Sequence, residues 1–145
     1  WGGTVEDIHW SIANGIRYDG NDETRWSEMP AFGRDGLLES DQIANVTDYI
    51  MQISGQEFDA AGAAAGEEIY LDNCAACHGD DGTGDIYSGA PNLVDAIWLY
   101  GGSRDLVYEQ IVNPKHGVMP AWGHRLDPVT VKQLTIYVHA LGGGE

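Results

Sequence analysis

The sequence predicts an all-α protein, because apolar residues recur at helical spacing in several segments while alternating strand patterns are scarce. Residues that favour helix N-termini stand ahead of four of these segments. They are Thr4, Ser40, Ser103 and Asp127, the last followed by a proline. A further helix is predicted from Gly62 to Cys77. We expect long, glycine-rich loops between the helices.

Length and charge narrow the possible functions. With 145 residues, the chain can form one ordinary domain or two small ones that need a cofactor for stability. A net charge of -16, with no Lys or Arg at 36–102, argues against nucleic acid and anionic lipid as partners and favours a basic protein. A solvated acidic surface is an equally good interpretation of that charge. No run of eighteen apolar residues and no signal-peptide pattern is visible, so no membrane span is expected.

Two halves of the chain repeat one another. The segments "WGG", "MPAFG" and "YIMQISG" of the first half match "YGG", "MPAWG" and "YVHALGG" of the second. The repeat predicts a first, incomplete domain at 1–56, a linker at 57–62 and a complete domain at 63–145. We expect the apolar faces of residues 1–55 to pack on each other and on the second domain or another chain.

The segment "NCAACHG" contains both cysteines of the chain, Cys74 and Cys77, followed at once by His78. A redox-active CxxC normally opens a helix after a strand, and no strand is predicted here. A zinc site needs a fourth ligand, and no other histidine has helpful spacing. A structural disulfide leaves the histidine unexplained and closes too short a loop to stabilise much.

Haem attachment accounts for all three residues. Two thiols on one helical turn can form thioethers to the haem vinyl groups, and the following histidine then lies beneath the iron. Met119, in a Pro- and Gly-bounded loop, is the predicted second axial ligand, with a buried core methionine as the alternative. We therefore expect one covalently bound haem c per chain. Met29 occupies the matching loop of the first half and would ligate iron only if a haem came from a missing or partner segment.

These residues resemble a class I c-type cytochrome, a fold of three to five helices around haem. The resemblance is based on "CAACHG" (74–79), "GAPNL" (89–93) and "MPAWG" (119–123), and it covers nearly all of 63–145. With the upstream segment 15–38 and "WLYGG" (98–102), the chain more narrowly resembles the C-terminal part of the di-haem subunit of cbb-type cytochrome c oxidases.

The resemblance also implies roles for individual residues. The backbone carbonyl of Pro91 would accept a hydrogen bond from His78 and orient its ring. Asn92, in the same turn, belongs to the expected cofactor-binding set. Three aromatic residues are expected to wall the haem or to bind its propionates, although aromatic side chains in small domains are more often plain core. These are Trp98, Tyr100 and Trp122.

The function that follows is one-electron transfer by a His/Met-ligated haem, without catalysis by this chain alone. The resemblance implies a soluble cytochrome c as donor, the catalytic subunits of a cbb-type oxidase as acceptor, and a place on the periplasmic side of the bacterial inner membrane. The alternatives are a free periplasmic di-domain carrier and the cytochrome subunit of a dehydrogenase. From other classes, an open-site haem enzyme or gas sensor and a haem-free redox or zinc protein remain possible.

Overall fold

The computed structural model describes residues 2–142, and within them the protein is helical with no strand. The helices are α1 (Val5–Asn14), α2 (Ser40–Ile53), α3 (Ala60–Asn73), α4 (Ala75–His78), α5 (Arg104–Val112) and α6 (Pro128–Ala140). The all-α prediction is confirmed. Trp1 and Gly143, which belong to the repeated segments, lie outside the described residues. None of the helices within 2–142 has the length and apolar content needed to cross a bilayer.

Two of the predicted helix starts are confirmed by the contacts of the capping side chains. The Thr4 hydroxyl accepts the backbone N–H of Asp7 at 3.1 Å, which satisfies one of the unpaired donors of the first turn. The Asp127 carboxylate does the same at α6, where Pro128 occupies the first turn.

Two other helix predictions were wrong in detail. Ser40 is the first residue of α2, and the cap is Glu39, because Glu39 and Gln42 form a reciprocal capping box. The single helix predicted from Gly62 to Cys77 starts earlier, at Ala60, and is broken at Cys74 into α3 and α4. Cys74 lies at the break, between the two helices, and Cys77 lies in α4.

The chain divides into two compact units. Unit 1 comprises residues 2–28 and 116–142 of the described chain, and unit 2 comprises Met29–Lys115. This partition does not follow the repeat-based division into 1–56, 57–62 and 63–145. In unit 2, α2 from the first half of the sequence packs on α3 and α5 from the second; in unit 1, α1 packs on α6. Each unit therefore combines segments from both halves of the sequence.

The core of unit 2 forms where α2 crosses α3. A Cβ atom added to Gly66 would overlap the backbone oxygen of Asn45 and would lie 2.9 Å from Cα of Val46. The two helix backbones are therefore in direct contact at this glycine, and any larger residue would force them apart. The buried cluster around the crossing consists of Phe32, Ile43, Val46, Ile50, Met51, Tyr70, Cys74, Val107 and Ile111.

An ion pair joins α2 to the start of α5. The Arg104 guanidinium donates to both carboxylate oxygens of Asp48, at 2.8 and 2.7 Å, and the Asp48 side chain is 4% exposed. The backbone N–H of Asp59 donates to the same carboxylate. The hydrogen bonds from Arg104 and from the Asp59 backbone hold the pKa of Asp48 below its usual range, against the opposing effect of burial. The charged form of Asp48 therefore stabilises the folded unit.

We predict that Asp48→Asn lowers the free energy of unfolding by about 2 kcal/mol at neutral pH, the typical loss for a hydrogen-bonded charged group. Because the folded-state pKa lies below the ordinary 3.8, the contribution is complete above that value. It disappears as pH falls through the folded-state pKa. Urea unfolding followed by circular dichroism at neutral and acidic pH measures both effects.

The matched control is Asp35→Asn, which removes a carboxylate paired with Arg34 on the surface, where the two side chains are 48% and 63% exposed. Exposed pairs contribute little, so no comparable loss is expected. If the two variants lose the same free energy of unfolding, or if the difference between them persists at acidic pH, the role assigned to Asp48 is contradicted.

Candidate haem site

The two cysteines are held on the tight turn that connects α3 to α4. The backbone N–H of Cys74 donates to Tyr70 at 2.8 Å, and the N–H groups of Cys77 and His78 donate to the Cys74 carbonyl at 3.1 and 2.9 Å. Cys74 is buried and Cys77 is exposed, and neither forms a disulfide. Burial raises the pKa of the Cys74 thiol to about 11, so this thiol is protonated at neutral pH.

The imidazole of His78 is buried and oriented by one hydrogen bond. Its Nδ1 lies 3.0 Å from the backbone oxygen of Pro91. A carbonyl can only accept, so Nδ1 carries the proton and Nε2 keeps its lone pair. Burial lowers the pKa of His78, with the bond to Pro91 opposing it in part. The ring is therefore neutral and presents one nitrogen as a metal ligand.

The loop after His78 brings Pro91 into position. The N–H of Gly84 donates to the His78 carbonyl at 2.7 Å, and Asp85 and Ala90 exchange two backbone hydrogen bonds. Gly84 has a φ of 81°, and a Cβ atom there would lie 2.7 Å from the Ala90 oxygen and 2.8 Å from the carbonyl carbon of Pro91. Only glycine combines this backbone conformation with so close an approach.

This donor set fits haem c. Two free thiols within one turn and a neutral imidazole after the second are the groups that thioether attachment and proximal ligation require. Unit 2 also exposes large apolar side chains after the motif, with Ile97 74% and Leu99 82% exposed. Within residues 2–142, no cluster of three or more His, Cys, Asp or Glu side chains could hold a metal ion. The donors of a zinc site are thus not assembled in this part of the chain.

The other expected cofactor-binding residues of unit 2 lie near the motif in sequence but differ in their surroundings. The Asn92 side-chain oxygen accepts the N–H of Val94 at 2.7 Å, so it shapes the turn after Pro91. Trp98 packs against the buried cluster. Tyr100 is 39% exposed, and the Lys115 ammonium lies 5.9 Å from the centre of its ring.

The two candidate methionine ligands belong to different units. Met29 is in unit 2 and packs against the buried cluster that contains Cys74. Met119 is in unit 1, where its backbone exchanges two hydrogen bonds of 2.9 Å with Ile16. The side chains of Met119 and Trp122 line an apolar cavity of about 270 Å³, together with Ile12, Leu126, Leu134 and Val138. Only Met29 shares a compact unit with His78.

Sequence reasoning missed Gly84 and Tyr70. The Tyr70 side chain is completely buried, and its hydroxyl donates to the backbone oxygen of Gly79 at 2.7 Å. Its position one helical turn before Cys74 was a usable signal, since residues four apart share a helix face. Gly84 lies among several glycines, and nothing in the sequence distinguishes it from them.

A helical fold with a buried imidazole directly after a Cys-x-x-Cys pair has the features of a c-type cytochrome. The family model described as "Cytochrome C oxidase, cbb3-type, subunit III" matches residues 61–138, and the chain belongs to that family.

Curated relatives are similar over the whole chain. The "Cbb3-type cytochrome c oxidase subunit CcoP" of Cereibacter sphaeroides is 56% identical over 145 residues, which are 100% of this chain and 50% of that protein. The "Cbb3-type cytochrome c oxidase subunit FixPc" of Rhizobium leguminosarum bv. viciae is 49% identical over 99% of this chain and 50% of that protein. The chain thus spans about half the length of these relatives.

We predict that Gly84→Ala weakens the hydrogen bond between His78 and Pro91, because the added methyl group would displace the Pro91 carbonyl. The unfolding free energy should fall by about 2 kcal/mol or more, from backbone strain and from overpacking together. NMR detection of the His78 Nδ1 proton should show faster exchange with solvent.

Gly55→Ala is the control, since Gly55 has a φ of 72° but no atom within 4 Å of an added Cβ. It introduces the strain without the steric overlap. If both variants lose the same stability and leave the His78 proton equally protected, Gly84 does not position Pro91.

Proposed function

We propose that this chain is a one-electron transfer module that carries haem c on Cys74 and Cys77, with His78 as the proximal iron ligand. The single observation that supports it best is the hydrogen bond from His78 Nδ1 to the Pro91 carbonyl. It leaves a neutral imidazole with one free nitrogen directly beside two free thiols.

When bound, haem c supplies the couple between ferric and ferrous iron. The two cysteines would anchor the group through thioethers, Cys74 from the residue that precedes α4 and Cys77 from within it. His78 would bind the iron through Nε2, and Pro91 would prevent the ring from rotating. Burial of the imidazole keeps it deprotonated at the ligating nitrogen near neutral pH.

For the sixth ligand we propose Met119, the methionine that the resemblance indicates and whose loop is bounded by proline and glycine. Met119 belongs to unit 1, where it lines an apolar cavity. Met29 packs against the buried cluster that contains Cys74, as a core methionine does, and would bind iron only if a haem came from a missing or partner segment.

The proposed partners are a soluble cytochrome c as electron donor and the catalytic subunits of a cbb3-type oxidase as acceptor, on the periplasmic side of the bacterial inner membrane. The two relatives described above are cbb3-type oxidase subunits, which supports this assignment. A net charge of -16 favours a donor with a basic face, because opposite charge accelerates association.

The test of haem attachment is the intact mass of the chain produced in a host with cytochrome c maturation. We predict one haem per chain in the wild type. In His78→Ala we predict loss of the haem absorption bands that depend on ligation of the iron by His78. His124→Ala, at an exposed histidine, is the control and should be unaffected. A wild-type mass equal to that of the polypeptide alone would refute the proposal. Fast, stoichiometric carbon monoxide binding would instead favour an open-site haem protein.

The methionine assignment has its own test. We predict that Met119→Ala removes the near-infrared charge-transfer band of methionine-ligated ferric haem and lowers the midpoint potential by on the order of 0.1 V, since axial ligands set the potential over a wide range. Met29→Ala should leave the haem on Cys74 and Cys77 unchanged. The reverse pattern would establish Met29 as the ligand and refute Met119.

A further inference from the structure

Tyr70 is the one fully buried tyrosine of unit 2. Its side chain is 0% exposed, and its ring lies tilted against that of Tyr49, with 5.2 Å between the ring centres. A buried hydroxyl without a partner would cost free energy. This hydroxyl donates to the backbone oxygen of Gly79 at 2.7 Å.

Tyr70 also contacts the other end of the haem-attachment turn. Its backbone oxygen accepts the N–H of Cys74 at 2.8 Å. One residue therefore binds the first attachment cysteine through its main chain and the residue after His78 through its side chain. The segment between these two points is the one that must hold the thiols and the imidazole in fixed relative positions.

The hydrogen bond to Gly79 acts on the backbone immediately after His78. The Gly79 carbonyl belongs to the peptide group between Gly79 and Asp80, so the bond from Tyr70 fixes the turn that follows the histidine. The N–H of His78 donates to Cys74, and its carbonyl accepts from Gly84, so the histidine backbone is held from several directions. Burial raises the pKa of Tyr70 far above its usual value. The phenol is therefore always protonated and always able to donate.

We propose that Tyr70 is a positioning residue for the haem centre: its hydroxyl, through Gly79, sets the orientation in which the His78 imidazole meets the iron. The inference rests on the proposed function, because it requires a haem on Cys74 and Cys77. The Tyr70 ring packs against Tyr49 in the core. Its hydroxyl forms the hydrogen bond to the loop after His78.

The test compares Tyr70→Phe with Tyr49→Phe in the full haem-loaded chain, each checked by intact mass. Both variants remove one hydroxyl from the same pair of rings, but only Tyr70 bonds to the loop. At a temperature far below unfolding, NMR of the ferric protein records the paramagnetically shifted His78 ring protons. We expect Tyr70→Phe to shift these resonances and the midpoint potential, and to raise the unfolding equilibrium constant about tenfold. Tyr49→Phe should leave the resonances and the potential unchanged.

Restoring a hydrogen-bond donor at position 70 distinguishes a positioning role of Tyr70 from a general effect on stability. 4-Aminophenylalanine introduced at position 70 retains the ring and a donor, and it should restore the His78 resonances toward those of the wild type. If Tyr70→Phe shifts the resonances and the amino variant leaves them at the shifted positions, the hydrogen-bond donor does not position His78 and the inference is overturned.

The outcomes for the two proposals are distinct. If the wild type carries no haem, the proposed function fails and the positioning role fails with it. If the wild type carries haem and Tyr70→Phe loses stability without any shift in resonances or potential, the haem assignment stands and Tyr70 is only a structural residue.

Discussion

The contact of α2 with α3 at Gly66 is the constraint on which the rest of unit 2 depends. Because a side chain at this position would overlap the backbone of Asn45, the helices can approach this closely only at a glycine. The approach buries Tyr70 and Cys74 in one cluster with the apolar face of α2. The end of α3, and therefore the start of the attachment motif, is fixed by packing rather than by its own helical propensity.

From the end of α3, a series of hydrogen bonds fixes the position of the His78 imidazole. Cys74 is bonded back to Tyr70, His78 to Cys74, and the His78 ring to Pro91. Each bond has a backbone carbonyl as acceptor, and a carbonyl has no alternative protonation state. A ligand held by such acceptors keeps the same tautomer over the whole pH range in which the protein is folded. This arrangement suits an iron ligand that must not reorganise when the charge on the metal changes.

More of the chemistry of the site than of its packing could be predicted from the sequence. Cys74, Cys77 and His78 lie within five consecutive residues, so the motif predicts haem attachment without any knowledge of the fold. The resemblance pointed to the Pro91 carbonyl, and the hydrogen bond is present. The helix partners could not be predicted in this way, because α2 and α6 end in matching sequence segments, at 49–55 and 137–143. Local sequence gives no reason for α3 to prefer one of them, and the choice is made by tertiary contacts such as Gly66 and the pair of Asp48 with Arg104.

Unit 2 is assembled from segments of both halves of the sequence. Met29 and α2 come from the first half of the sequence, whereas α3 and the attachment motif come from the second. A unit built in this way closes only after residues far apart in the chain have met, and such contacts carry a larger loop-closure cost than local ones. A covalently attached haem would favour that closure, because any group that binds the folded unit and not the unfolded chain shifts the equilibrium toward folding. The buried cluster, the ion pair of Asp48 and the bonds of Tyr70 then act on one cooperative structure, so disturbing the packing of α2 would also disturb the imidazole of His78.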